Sequence, residues 1–557
     1  MNIKYIYLFV FVLGFFACDE DDNFLPQEVI LPELTTGSAD FSNYVALGAS
    51  FTSGFTDGAL FKAAQENSFP NILSKEFAKI GGSDFTQPLM NDNIGGLLLG
   101  NIPNSRFGPR LYFYSDQDDT DDFGSGPYPL GVVPHEQDFT PEIPTTEGTS
   151  VLGDSFKNMG VPGAKSFHLL FDGYGNPTGL QTVPATANPY FVRMASSSNA
   201  TMLGDAMAQS PTFFTLSEIG GNDVLGYATS GGDGSNTITP VAGPPGVGFN
   251  ETFGAIVTTL TSGGAKGAVT NVPYITDLPH FTTVPYNPLT PSNPDFGPQI
   301  PTLNGIFGQL NQVYAFLNAP ERSIVFSETE ASAVVIKDET LTDLSAEITT
   351  TLLASPTFPV LVQSFGLPAQ AAPLVANLLG VTYGQTRQAT EDDIFVLPSS
   401  SVIGTVNTDN VQALVLQGLS LELAGQFSAE GITLPLADKW VLLPSEQEEI
   451  KIATDAYNTT IAAVVNANDA IALVDLNAIL TELSSMGIDF DGFNLNADLV
   501  TGGAVGLDGI HLTARGYALM ANKFLEAIDD AFGSNFIESG NIAKANDYPT
   551  NYSPTLQ

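Results

Sequence analysis

Three polar residues near opposite ends of this 557-residue chain have the types and spacing needed for nucleophilic chemistry. The hydroxyl of a serine such as Ser50 becomes an effective nucleophile only when a base takes its proton. His511, one of the four histidines, has a carboxylate three residues before it, at Asp508. One turn can then carry both side chains to the same side, where Asp508 orients the imidazole and stabilises its cation. We therefore predict a triad of Ser50, His511 and Asp508.

Attack on a carbonyl group also requires hydrogen-bond donors for the negative oxygen of the tetrahedral intermediate. The candidate donors are the backbone N–H groups of Ser50 and Gly163 and the side-chain amide of Asn222. Losing one such donor typically lowers the rate about 100- to 1000-fold. We expect Asp223 to support the turn that places Asn222, and we expect structural roles for His168 and His280.

Short apolar runs precede the candidate residues and are typical of buried parallel strands. Tyr44–Leu47 leads to Ser50, Thr212–Leu216 leads to the turn carrying Asn222, and Ile471–Asp475 is a third such run. After the histidine, apolar residues recur at helical spacing at Leu519, Phe524, Leu525, Ile528 and Phe532. In open α/β sheets, functional sites form beyond the carboxyl ends of the strands, which is where these residues would lie.

Four short motifs follow one another along the chain. They are Gly48-Ala49-Ser50, Asn158-Met159-Gly160-Val161-Pro162-Gly163, Gly220-Gly221-Asn222-Asp223 and Asp508-Gly509-Ile510-His511. With these motifs in this order, the chain resembles the SGNH (GDSL-type) hydrolase family. The resemblance implies an α/β fold, a three-layer α/β/α sandwich with a parallel central sheet, and ester hydrolysis through an acyl-enzyme without a cofactor or metal. The chain departs from the family pattern at Ala49, where the family usually has an aspartate.

The amino terminus resembles an export signal. Residues 1–17 contain Lys4 and then an unbroken apolar stretch of signal-peptide length. The stretch ends at Cys18, the only cysteine, in a context similar to a bacterial lipobox. We therefore predict a signal peptide over 1–17 and a lipidated Cys18 with a tether over 18–40, since two or more acyl chains anchor a protein stably. An ordinary signal peptide with an incidental cysteine is the alternative.

The acidic residues 19–22, directly after the cysteine, resemble surface-export signals of some Gram-negative bacteria. The resemblance implies the outer membrane and the cell surface as the location. Retention at the inner membrane is the other interpretation of an aspartate at this position.

The charge balance argues against nucleic acid as a partner. There are 60 acidic and 18 basic residues, a net charge of −42 and a pI near 4.1, so the chain should repel polyanions and anionic membrane surfaces. We expect an acyl-ester substrate, either a lipid or an acylated carbohydrate, and membrane contact through the lipid anchor. The acidic residues 116–122 lack the ligand spacing of an EF-hand, which favours a solvated loop over a calcium site.

The length predicts a hydrolase domain over 41–535 with an insertion at about 323–440, and a carboxyl-terminal tail over 536–557. Strands are predicted at Ser323–Phe326 and Ala333–Ile336. No charged residue occurs over 348–386. This stretch is either an apolar lid or acyl groove over the site, or a set of short buried helices, which we favour because its prolines interrupt helices. A capping box at Ser445 predicts a helix that extends to about position 467.

The predicted function is ester hydrolysis of the lipase or carboxylesterase class. One alternative is a polysaccharide O-deacetylase of the same fold. A second alternative is a catalytically idle, glycan-binding surface lipoprotein, an interpretation that only Ala49 favours.

Overall fold

The computed structural model describes residues 31–115, 125–131, 139–140, 142–153 and 155–557. The predicted signal peptide, Cys18, His135 and the acidic residues 116–122 lie outside these ranges.

A five-stranded parallel sheet forms the centre of the described chain. Its strands are β1 (Tyr44–Gly48), β2 (Asn158–Gly160), β3 (Phe213–Ser217), β4 (Lys266–Thr270) and β5 (Ile471–Val474). Their order across the sheet is β5-β4-β3-β1-β2, and all four pairings are parallel. The predicted α/β class with a parallel central sheet is confirmed, and the three predicted strands form with bounds shifted by at most one residue.

Alternate residues of the sheet contribute to two apolar clusters, one on each face. Val45 and Leu47 of β1 pack on one face and Tyr44 and Ala46 on the other, as the two-residue period of a strand requires. The helices Phe249–Thr261 and Pro444–Asn466 cover the first face. The helices Phe69–Ala78, Leu476–Ser485 and Ala514–Phe532 cover the second. Helices therefore lie on both faces of the sheet, and the helix predicted after His511 is confirmed.

The predicted insertion has an apolar cluster of its own. Its charge-free stretch forms the helices Ser345–Ala354, Phe358–Ser364 and Ala372–Tyr383, which bury Ile348, Phe358 and Tyr383. These helices share a cluster with the helix Ile300–Phe316, which begins before the predicted boundary at 323. The stretch thus forms the short buried helices that the sequence favoured.

Within the described ranges, no single helix is both long and apolar enough to cross a bilayer. The segments Phe358–Ser364 and Ala369–Tyr383 are together long and apolar enough by length and composition alone. The pair is bent by 113° at the break between them.

Two local predictions were wrong. Ser323–Phe326 does not form a strand, whereas Val335–Lys337 pairs with Thr386–Gln388. The long helix begins at Pro444, with Leu443 and not Ser445 as its N-cap.

The remaining helices and strands are short. The helices are Ser50–Ser53, Lys62–Glu66, Pro189–Met194, Met202–Met207, Gly221–Thr229, Pro279–Thr282, Thr408–Leu416 and Leu421–Gln426. The strand pairs are Leu98–Leu99 with Ile102–Pro103, Leu111–Tyr114 with Gly126–Pro129, Ile394–Phe395 with Val441–Leu442, and Ile488–Phe490 with Phe493–Leu495.

Candidate active site

Ser50 lies just beyond the carboxyl end of β1, at the first position of the helix Ser50–Ser53. The turn is tight, because a side chain at Gly48 would approach Thr52 Oγ1 to 2.1 Å and the carbonyl oxygen of Ser217 to 2.7 Å. Ala49 is completely buried and belongs to the apolar core. Ala49, the position at which the chain departs from the motif that it resembles, therefore lies in the core. Ser50 follows it at the carboxyl edge of the sheet.

Asp508 and His511 form a hydrogen-bonded pair, with 2.9 Å between Asp508 Oδ2 and His511 Nδ1. Asp508 Oδ1 also accepts the backbone N–H groups of Ile510 (2.9 Å) and His511 (2.8 Å). Asp508 Oδ2 accepts the N–H of Gly58 at 2.7 Å. Because Nδ1 of the imidazole faces the carboxylate, Nε2 is the nitrogen left to exchange a proton with a substrate or nucleophile.

The pKa of Asp508 is lowered to about 2. Burial opposes ionisation of this carboxyl, but the charge of His511 and the hydrogen bonds from His511 and Ile510 outweigh it. The His511 ring also packs against Phe55, with 4.6 Å between ring centroids. The imidazole is therefore oriented by an ionised partner on one side and an aromatic ring on another.

The three candidate oxyanion donors meet at one cavity, which we call the groove. It has a volume of about 800 Å³, and its lining includes Ser50, Gly163, Asn222 and His511. Asn222 Nδ2 donates one hydrogen bond to the carbonyl oxygen of Ala164 at 3.0 Å. Since an amide carries two hydrogens, the second can serve another acceptor.

Asp223 links the first turn of the helix Gly221–Thr229, which carries Asn222, to the segment after β2 that carries Gly163. Its side chain is fully buried and accepts the backbone N–H of Ser166 at 2.9 Å and the Ser166 hydroxyl at 2.7 Å. Burial raises the pKa of Asp223. These contacts agree with the supporting role expected for this residue.

Two further carboxyl groups next to the site were missed by the sequence reasoning. Glu218 follows β3, and its two oxygens accept the N–H of Phe51 at 2.8 and 2.7 Å. Burial raises the pKa of Glu218 to about 8, although hydrogen bonds from backbone N–H groups oppose the shift. Asp57 accepts the N–H of Leu507 at 2.8 Å, and burial raises its pKa to about 7 with a further contribution from Asp508. Both residues adopt positive φ, at 55° and 52°, which the sequence does not reveal.

His168 and His280 pack close to the site. His168 stacks on Tyr174 with 4.1 Å between ring centroids, and burial together with Lys165 lowers its pKa to about 4. The Nδ1 atom of His280 lies 3.3 Å from the carbonyl oxygen of Asp508. His280 therefore contacts the loop of the candidate triad, and both contacts suit structural roles.

Two other cavities adjoin the candidate triad. A small one, which we call the channel, has a volume of about 90 Å³ and is lined in part by Ser50, Asn222 and His511. Its walls include Ile275, Leu278, Ile479, Leu483, Leu519 and Met520. A wide one of about 1230 Å³ contacts Asp508, His511 and His280 and extends to the insertion.

Within the described chain, Glu339, Asp438 and Glu446 are grouped closely enough to hold a cation, and none of them lines the three cavities.

Comparisons of the chain with protein-family models, with curated proteins and with solved structures find no match.

Proposed function

We propose that this protein is a serine ester hydrolase with an SGNH-type α/β/α fold, and that Ser50, His511 and Asp508 form its catalytic triad. The observation that carries the proposal is the Asp508–His511 hydrogen bond of 2.9 Å beside a groove that Ser50 also lines. A serine, a base and a carboxylate that orients the base are the parts required for nucleophilic acyl transfer.

The reaction begins when Ser50 Oγ attacks the carbonyl carbon of the ester while His511 Nε2 accepts the hydroxyl proton. The tetrahedral intermediate collapses, the bond between the carbonyl carbon and the alcohol oxygen breaks, and His511 donates its proton to the leaving alcohol. Water then attacks the acyl-enzyme and gives a proton to His511. The acid is released, and the proton returns to Ser50 Oγ.

The oxyanion of each tetrahedral intermediate accepts hydrogen bonds from the backbone N–H groups of Ser50 and Gly163 and from the Asn222 amide. Gly163 suits this role because a side chain at its position would meet open space, so a substrate can approach the backbone. Asn222 suits it because its amide has a second hydrogen beyond the one bonded to Ala164. Preorganised donors of this kind usually make the largest single contribution to catalysis of acyl transfer.

The same proposal includes an exported, lipid-anchored location. A lipidated Cys18 would hold the hydrolase at the outer membrane, with access to acyl lipids or acylated carbohydrates. Labelling with radioactive palmitate in cells, compared between the parent and Cys18→Ser, tests the anchor. Equal labelling of the two proteins contradicts it.

The test of the activity is hydrolysis of p-nitrophenyl esters from acetate to palmitate by the purified protein in detergent, beside Ser50→Ala. We expect the variant to lose at least about 1000-fold in kcat, since removal of a triad nucleophile typically costs that much or more. Ser484→Ala, at an exposed serine, is the matched control. Covalent labelling by a fluorophosphonate, mapped to Ser50 by peptide mass, gives an independent measurement. Turnover that survives in Ser50→Ala contradicts the proposal.

A further inference from the structure

The channel is lined both by the candidate nucleophile and by residues of the apolar interior. Ser50, Asn222 and His511 line the part that we call its mouth, and its other walls include residues of the helices Leu476–Ser485 and Ala514–Phe532 and of the segment after β4. A molecule bound in the channel can therefore contact the candidate reacting atoms and the side chains of two core helices.

The walls of the channel are almost entirely apolar. Besides the three residues at the mouth, Glu218 is its only polar lining residue. The two oxygens of Glu218 accept hydrogen bonds from Phe51 N–H, so its polar atoms have a protein partner and do not require a ligand. Burial also raises the pKa of Glu218 to about 8, which keeps most of this carboxyl uncharged at neutral pH. Such a lining favours a hydrocarbon and disfavours a sugar, whose hydroxyls would lose their hydrogen bonds to water.

The channel and the groove differ in volume and in lining. The channel has a volume of about 90 Å³ and the groove has one of about 800 Å³. Polar side chains on the groove include Asn104, Arg106, Asn188 and Tyr190. Both cavities meet at Ser50 and His511, so an ester carbonyl at that point can direct its acyl chain into the channel and its alcohol into the groove.

We propose that the channel is the acyl-binding site and that the substrates are esters of short, unbranched fatty acids longer than acetate. This inference rests on the proposed function, since the channel is defined by its mouth at Ser50. At the roughly 30 Å³ that each water takes in the liquid, a cavity of about 90 Å³ holds about three water-sized groups, and a methylene group is close to water in size. The matching acyl chain has roughly four carbons, with the carbonyl carbon at the reacting atoms and about three carbons in the channel.

The experiment is a chain-length profile of kcat/KM on p-nitrophenyl esters, measured with the purified protein in detergent. We expect kcat/KM to rise about fourfold per methylene, as burial of each group predicts, to a maximum near butyrate. Leu483→Trp fills the channel and should lower kcat/KM for butyrate by at least about tenfold and lower the ratio of butyrate to acetate hydrolysis. Glu482→Trp, at the exposed neighbouring position of the same helix, is the matched control and should leave the profile unchanged.

Because Leu483 is a buried residue, Ile479→Trp at a half-buried wall position is the second blocking variant, and Met520→Ala is the widening variant. Ile479→Trp should shorten the preferred chain, and Met520→Ala should lengthen it. A cooperative thermal unfolding transition near that of the parent shows that each variant is folded.

Two results would overturn the inference in distinguishable ways. Ser50-dependent hydrolysis that is fastest on acetate, with no response to either tryptophan variant, leaves the hydrolase function intact and removes the acyl-binding channel. Absence of Ser50-dependent turnover on every ester, from folded protein, removes the proposed function and the channel with it.

Discussion

At the residue scale, the proposed mechanism depends on a carboxylate that stays ionised while its neighbour gains and loses a proton. The pKa of Asp508, lowered to about 2, keeps this side chain charged through the pH range in which an imidazole titrates. We therefore expect Asp508 to contribute no acid limb to kcat/KM in that pH range.

Replacing Asp508 by asparagine should lower kcat about 1000- to 10,000-fold, because an amide neither selects the productive imidazole tautomer nor stabilises its cation. Steady-state kinetics on the best p-nitrophenyl ester measure the effect. Asp498→Asn, at an exposed aspartate in the same loop region, is the control and should keep parent activity. A loss of less than about tenfold in Asp508→Asn would remove Asp508 from the triad.

Replacing Asn222 by alanine should lower kcat about 100- to 1000-fold and change KM little, because the oxyanion exists only in the reaction's intermediates and transition states. The comparison of kcat with KM is the measurement. Asn236→Ala, at an exposed asparagine, is the matched control. An effect confined to KM would make Asn222 a substrate-binding residue instead of an oxyanion donor.

The sequence identified His511 and Asp508 because a separation of three residues is visible in the chain, and the structure brings them to 2.9 Å. It did not identify Glu218 or Asp57. Their burial arises from contacts with residues distant in sequence, such as the bond from Leu507 N–H to Asp57. No local spacing carries that information.

At the element scale, the turn after β3 is joined to the turn after β1 by the Glu218 carboxyl. Its pKa of about 8, raised by burial from 4.5, means that the folded state binds this proton more tightly than the unfolded state. Through this group, the free energy of unfolding is largest at low pH and falls as pH rises from about 4.5 to about 8.

We expect Glu218→Gln to remove this part of the pH dependence, so that the variant loses less stability than the parent between pH 5 and pH 8. At 1.36 kcal/mol per pKa unit, the difference should be about 3 to 4 kcal/mol. Urea unfolding at the two pH values gives the measurement. Glu482→Gln, at an exposed glutamate, should behave as the parent, and an equal pH dependence in Glu218→Gln and the parent contradicts the assignment.

Elements of the sheet could be predicted because a buried parallel strand is a short apolar run in the chain. Ser323–Phe326 has the same pattern, yet its backbone is bonded by side chains of the helix Ile300–Phe316. Asn311 bonds the N–H and carbonyl of Ile324, and Asn304 bonds those of Phe326. An apolar pattern predicts burial of such a segment but does not identify its hydrogen-bond partners.

The predicted start of the long helix was wrong because the sequence contains two competing signals for a helix start. Ser445 and Glu448 fit a capping box, but Pro444 occupies the first helical position, where its fixed φ and missing N–H suit a helix start. Glu446 then accepts the N–H of Leu443 at 2.7 Å. The proline was the stronger signal.

At the scale of the whole molecule, the carboxyl-terminal tail, residues 536–557, packs on the rest of the described chain through a buried arginine. Arg110 is completely buried, and its Nη2 donates to the carbonyl oxygens of Ser553 at 2.6 Å and Leu556 at 2.8 Å. Its Nε donates to the backbone carbonyl oxygen of Asn93, which lies outside the tail, at 2.8 Å. The sequence marked 536–557 only as a tail, because nothing in its composition shows that its carbonyl groups satisfy a buried cation.

Deletion of residues 553–557 should therefore destabilise the protein, since it removes both acceptors of Nη2 from a buried charge. Hydrogen bonds to charged groups contribute about 1.5 to 3 kcal/mol each, and entry of water recovers part of that, so we expect a loss of about 3 kcal/mol. The measurement is the loss of thermal stability that the deletion causes in the parent and in the Arg110→Met variant. The comparison separates the hydrogen bonds to Arg110 from general packing of the tail. Methionine needs no acceptor, so the deletion should cost clearly less in that background. Equal losses in both backgrounds would show that the tail stabilises the body by packing alone, whereas a larger loss in the parent assigns the effect to Arg110.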